Sequence, residues 1–98
     1  MTIQKEANGD KLVLTLEGRL DTTTAPQLES VVKESLAGVA ELVFDLKDLE
    51  YISSAGLRVL LAAQKAMNRQ GTMVVRNAGE AIKEIFDVTG FCDILTIE

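Results

Sequence analysis

Between Lys11 and Glu17, Leu12, Leu14 and Leu16 alternate with Val13, Thr15 and Glu17, the period of two that turns one face of a strand towards a core. A shorter segment, Thr2 to Ala7, precedes it across Asn8-Gly9, a dipeptide whose tolerance of positive φ at both turn positions makes it a strong hairpin signal. Two antiparallel strands are predicted there. The period then changes. Leu28, Val31, Val32, Leu36 and Val39 recur at helical spacing after Thr22-Thr23-Thr24-Ala25-Pro26-Gln27, where a threonine can cap, Pro26 sits in the first turn, and Thr24 with Gln27 has capping-box spacing. Gly38 is the expected terminator.

Leu42-Val43-Phe44-Asp45-Leu46 is almost continuously apolar, as for a parallel strand covered on both faces. A second helix follows Ser53-Ser54, with Leu57, Leu60, Leu61, Gln64 and Met67 in period, and stops before Gly71. Met73-Val74-Val75 reads as a further buried strand, Ala81, Ile82, Ile85, Phe86 and Thr89 as a third helix stopped by Gly90, and Ile94-Leu95-Thr96-Ile97 as a closing strand. The order β-β-α-β-α-β-α-β predicts a single α/β domain over residues 1–98. Its sheet is mixed and mostly parallel, with an antiparallel N-terminal strand. Strand-to-helix loops of such a sheet emerge at the carboxyl ends of the strands. Arg19 to Thr24, Lys47 to Ser54 and Arg76 to Gly79 are therefore expected on one edge, with Asp21 beside Ser54.

Composition narrows the chemistry. The chain has 98 residues, 47% of them hydrophobic and 26% charged, with a net charge of −5. Its longest apolar run, Val59 to Ala63, is too short to span a bilayer. Lys and Arg are scattered singly, which argues against a nucleic-acid or anionic-membrane surface. With no histidine and one cysteine, imidazole-dependent hydrolases and multi-cysteine zinc sites are excluded. No catalytic residue, metal or cofactor is expected, and the chain is not read as an enzyme. Cys92 lacks cationic neighbours in sequence and reads as a small core hydrophobe. The N-terminus shows no secretory signal, so the cytoplasm is the expected compartment.

Tyr51-Ile52-Ser53-Ser54-Ala55-Gly56-Leu57 places two serines at a helix start. A hydroxyl there ordinarily caps backbone N–H groups. On that chemistry alone the cap is the preferred reading, with a modifiable serine as the alternative. Asp21 is open to a similar pair of readings, a helix-start cap or a partner contact, and Arg58 either steers an acidic partner or is simply solvated.

Three segments bear on that choice: Gly18-Arg19-Leu20-Asp21 followed by Thr24-Ala25-Pro26; Leu49-Glu50-Tyr51-Ile52-Ser53-Ser54-Ala55-Gly56-Leu57-Arg58-Val59-Leu60-Leu61; and Ile85-Phe86-Asp87-Val88-Thr89-Gly90. In order and spacing they resemble the bacterial anti-sigma factor antagonists, which carry the STAS fold, over nearly the whole chain. The resemblance implies a partner-switching protein. Unphosphorylated, it would bind an anti-sigma factor that is also a serine kinase and so free the sigma factor; phosphorylated at Ser54, it would be released until a phosphatase restores it. Ser53 is a second candidate acceptor. Asp21, Thr22, Ser53, Ser54, Ala55, Gly56 and Arg58 are the implied partner-binding residues, with no nucleic acid or membrane involved.

This chain departs from the family pattern at Ser53, where relatives usually carry aspartate, and at Ala55, where many carry serine or threonine. Many relatives also add a helix after the final strand. The first departure keeps a second reading open, a constitutive STAS docking subunit of a transport or signalling complex that is not phosphorylated.

Overall fold

A computed structural model describes residues 1–98. Its elements are β1 (Thr2–Asn8), β2 (Lys11–Leu20), α1 (Ala25–Ser35), β3 (Glu41–Ile52), α2 (Ser54–Met67), β4 (Thr72–Arg76) and α3 (Glu80–Thr89), followed by a 3-10 turn at Phe91–Asp93. The sheet order is β1-β2-β3-β4. β1 runs antiparallel to β2 across the Asn8-Gly9 turn, and the other neighbours are parallel.

Each crossover moves one strand further in the same direction, so right-handed connections lay the helices on one face. Alternation then sorts the strand residues. Leu12, Leu14, Leu16, Leu42, Phe44, Leu46, Met73 and Val75 join Leu28, Val32, Leu57, Leu60, Met67, Ile82 and Phe86 in one core cluster. Val13, Val43 and Val74 lie abreast in register on the opposite face, with Thr15, Asp45 and Arg76 abreast beside them. β3 is thus buried on both sides, as its apolar run predicts, but helices supply only one cover. On the other, Val43 is screened within a row of valines. Asp45 is 6% exposed, and its Oδ1 accepts from Lys47 N at 3.1 Å and Asn77 Nδ2 at 3.1 Å, while Oδ2 lies 3.8 Å from Arg76 Nε.

β4 ends at Arg76, level with Asp45, whereas β2 and β3 stay paired as far as Leu20 and Ile52. Continuing from Asp45 to Ile52, the ribbon projects roughly 20 Å at the usual strand rise. The Arg76 to Gly79 loop therefore does not share the edge that carries Asp21 and Ser54, contrary to the sequence expectation. Lys47 to Ile52, expected as loop, is strand. Two register shifts, between Thr15 and Glu17 and between Gly18 and Arg19, each give β3 one extra residue, and Gly18 takes a φ of 101° that other residues rarely adopt.

Two further expectations change near the C-terminus. The closing strand is reduced to one parallel bridge, Ile97 to Val75, held by Val75 N to Thr96 O and Glu98 N to Val75 O. Gly90, at φ 81°, ends α3 as predicted. The turn that follows leaves Cys92 exposed instead of in the core, and Leu95 is buried in its stead. Partial desolvation, then the Asp87 and Asp93 carboxylates, raise the Cys92 pKa, so the thiol stays protonated and a poor nucleophile.

Candidate functional site

At the far end of the β2–β3 ribbon, Ser53 N donates to Leu20 O at 2.8 Å, tying the start of α2 to the end of β2. Ser53 is extended and half-buried, and its Oγ accepts from Gly56 N at 3.4 Å. It is the N-cap. Ser54 is the first residue of the helix and is exposed. The two adjacent hydroxyls are thereby given different surroundings, one engaged with backbone and one facing solvent.

Gly56, expected among the partner contacts, is buried. A Cβ there would lie 2.6 Å from Leu20 Cγ and 3.0 Å from Ile52 Cγ1, so the glycine lets α2 settle onto the last rung of the ribbon. Its place is in packing.

Asp21 begins the turn that leads into α1. Its Oδ1 accepts from Thr23 N at 3.0 Å, Thr23 Oγ1 at 2.7 Å and Thr24 N at 3.2 Å. The Thr23 hydroxyl is the main cause of a pKa below the ordinary carboxylate value, with the Thr24 and Thr23 backbone N–H groups adding to it against partial desolvation. The anticipated capping box does not form. Thr24 occupies the N-cap position without capping α1; its Oγ1 accepts from Asp21 N at 2.8 Å and donates to Arg19 O at 2.9 Å. Asp21 caps the preceding turn in its stead.

Thr22, Ala25 and Pro26 at the start of α1 face Ala55, Arg58 and Val59 of α2 across a hollow of about 230 Å³, which Glu29 also lines. Ser54, Asp21, Thr22, Ala55 and Arg58 therefore gather at one end of the molecule, although about thirty residues separate their two segments.

Sequence reasoning missed a feature beside them. Arg19 lies over the Tyr51 ring, Cζ to centroid 4.4 Å, and its Nε is 3.9 Å from Asp21 Oδ2. The pairing of Arg19 with Tyr51 depends on the second register shift. The only signal in the sequence was two bulky side chains near the ends of consecutive parallel strands.

No helix is long and apolar enough to cross a membrane. The chain matches the STAS domain family over residues 2–98. BtrV of Bordetella bronchiseptica, named as an anti-sigma factor antagonist, is 35% identical over 88 residues, covering 88% of this chain and 76% of its own. The anti-sigma-B factor antagonist of Bacillus subtilis is 30% identical over 102 residues, covering 99% and 90%. Among solved structures, an anti-sigma factor antagonist from Mycobacterium paratuberculosis superimposes with a TM-score of 0.89 at 27% identity, covering 98% of this chain and 83% of that one. Phosphorylated SpoIIAA of Bacillus, at 17% identity and a TM-score of 0.78 over 99% and 91%, shares the fold. The match along the whole chain, the mixed sheet with its helices on one face, and these relatives establish that the protein belongs to the STAS domain family, among the bacterial anti-sigma factor antagonists.

Proposed function

We propose that this protein is a cytoplasmic protein-binding switch, not an enzyme: it binds an anti-sigma factor serine kinase, frees the sigma factor, and is turned off by phosphorylation of Ser54. The observation that carries this reading is the exposed Ser54 at the front of α2, on the edge where Asp21, Thr22, Ala55 and Arg58 gather. Ser53 is disfavoured as acceptor because its oxygen already serves as the cap. That role also accounts for serine in place of the usual aspartate, since both are strong N-cap residues. What is lost is a charge.

Transfer of the γ-phosphoryl group of ATP to Ser54 Oγ, with ADP leaving, adds about −1.5 to −2 charges at pH 7. A helix start tolerates them. A kinase surface packed flat against the same edge would have to desolvate them, and the chain is already acidic at −5. Binding is lost through contact, without refolding. A phosphatase acting on the same exposed group resets the switch.

Incubating the protein with the anti-sigma factor kinase and ATP is expected to add one phosphate, mapped to Ser54 by mass spectrometry and absent from Ser54→Ala. Ser54→Asp should bind the kinase at least about tenfold more weakly, a difference of about 1.4 kcal/mol, with an unchanged circular dichroism spectrum. Tight binding without modification, undiminished in Ser54→Asp, would instead identify a constitutive docking subunit.

A further inference from the structure

We infer that Arg58 is the intramolecular anchor of the phosphate carried by Ser54, closing over it as a charged fork and withdrawing from partners when it does so. The inference rests on the reading of Ser54 as the modified residue. Ser54 and Arg58 are four apart in α2, so their side chains lie one above the other on the same helical face. Helical side chains lean towards the N-terminus, which carries a guanidinium at Arg58 back over the turn that begins with Ser54. A planar guanidinium meeting a phosphate forms short, charge-assisted and often bidentate hydrogen bonds.

What distinguishes Arg58 is that its neighbours are taken. Glu29 shares its hollow but pairs with Lys33, Oε1 to Nζ 3.4 Å. Asp21, on the same edge, is engaged by Thr23, Thr24 and Arg19. Asp45 holds Arg76 at the other end of the ribbon. Arg58 is exposed and has no carboxylate within ion-pair distance. A phosphate on Ser54 would be its first anionic partner. One modification then changes two charges on the binding edge: a dianion arrives, and the free cation that could have met a partner's carboxylate is used up.

Phosphoserine installed at position 54 during translation tests this without any kinase, so failure of the anchor and failure of the kinase switch remain separate results. The phosphate is titrated by phosphorus NMR in the otherwise wild-type protein and with Arg58→Ala, Arg58→Lys or Arg69→Ala. Arg58→Ala should raise the second phosphate pKa by roughly half a unit, since the anchor favours the dianion. Arg58→Lys should retain part of the depression, and Arg69→Ala, beyond the far end of α2, should titrate like wild type. Coincident curves for wild type and Arg58→Ala, or an equal shift from Arg69→Ala, would overturn the proposal.

Discussion

Asp21 and Gly56 show how single side chains build this edge. The threonine hydroxyl and backbone N–H groups around Asp21 favour its charged form and hold its pKa below the ordinary value near 3.8. Its contribution to stability is therefore fully present above that value and is lost as pH falls through the depressed pKa of the folded state. Asp21→Asn should lower the melting temperature at neutral pH and converge on wild type below about pH 4, so that the acid limb of its thermal stability profile is flatter. An identical acid limb in the variant would show that the turn does not depend on the charge. At Gly56 the constraint is volume. With Leu20 and Ile52 fully buried beneath it, Gly56→Ala should cost about 1–3 kcal/mol by overpacking, read from urea unfolding. It should also tilt α2 and lower kinase binding indirectly.

The paired ribbon of β2 and β3 is the element that bears the candidate site at its tip, and it outruns β4, which ends at the Asp45, Arg76 and Asn77 cluster. Asn77 adopts a φ of 60° and donates to Asp45. Asparagine tolerates that left-handed conformation better than most residues. Asn77→Ala removes both the tolerance and the bond, and an expected loss of about 1–2 kcal/mol corresponds to a melting temperature lower by roughly 5–10 °C for a domain of this size. Asn77→Gly retains the conformation and should recover part of it. Phosphorylation at Ser54 should be unaffected by either change, since the cluster sits well back from the ribbon's tip.

For the molecule as a whole, the single helical layer makes stability uneven. β2 and β3 are hydrogen-bonded on both sides and backed by the core, whereas β1 is an edge strand whose residues are mostly exposed, and the last residues hold on through one bridge. Native-state hydrogen exchange should be slowest in Leu12 to Leu16 and Leu42 to Leu46 and fastest in β1 and Ile94 to Glu98. Uniform protection across the sheet would contradict this layering. A phosphate at Ser54, as proposed, would sit at the ribbon's tip, whereas the four-stranded part of the sheet around Leu12 to Leu16 and Leu42 to Leu46 lies at its other end, so the domain should not be loosened by it.

Much of this was written in the chain's periodicity. Alternating leucines in β2, the 3.6-residue repeat of α2, and Gly90 at the end of α3 marked elements that local sterics and burial decide, and the serine pair announced a helix start. Other features arise from neighbours distant in sequence. Lys47, Asp48, Glu50 and Tyr51 look like loop because they are mostly polar, yet they are strand because β2 offers them a ladder through two bulges. Cys92 is exposed because a turn diverts the chain before it reaches the sheet. Ser53 and Ser54 carry the same hydroxyl, and packing against Leu20 and Gly56 assigns one to the backbone and the other to solvent. Local pattern sets which segments coil or extend, while register and crossover geometry set which side chains meet, because those contacts join residues that no short window contains.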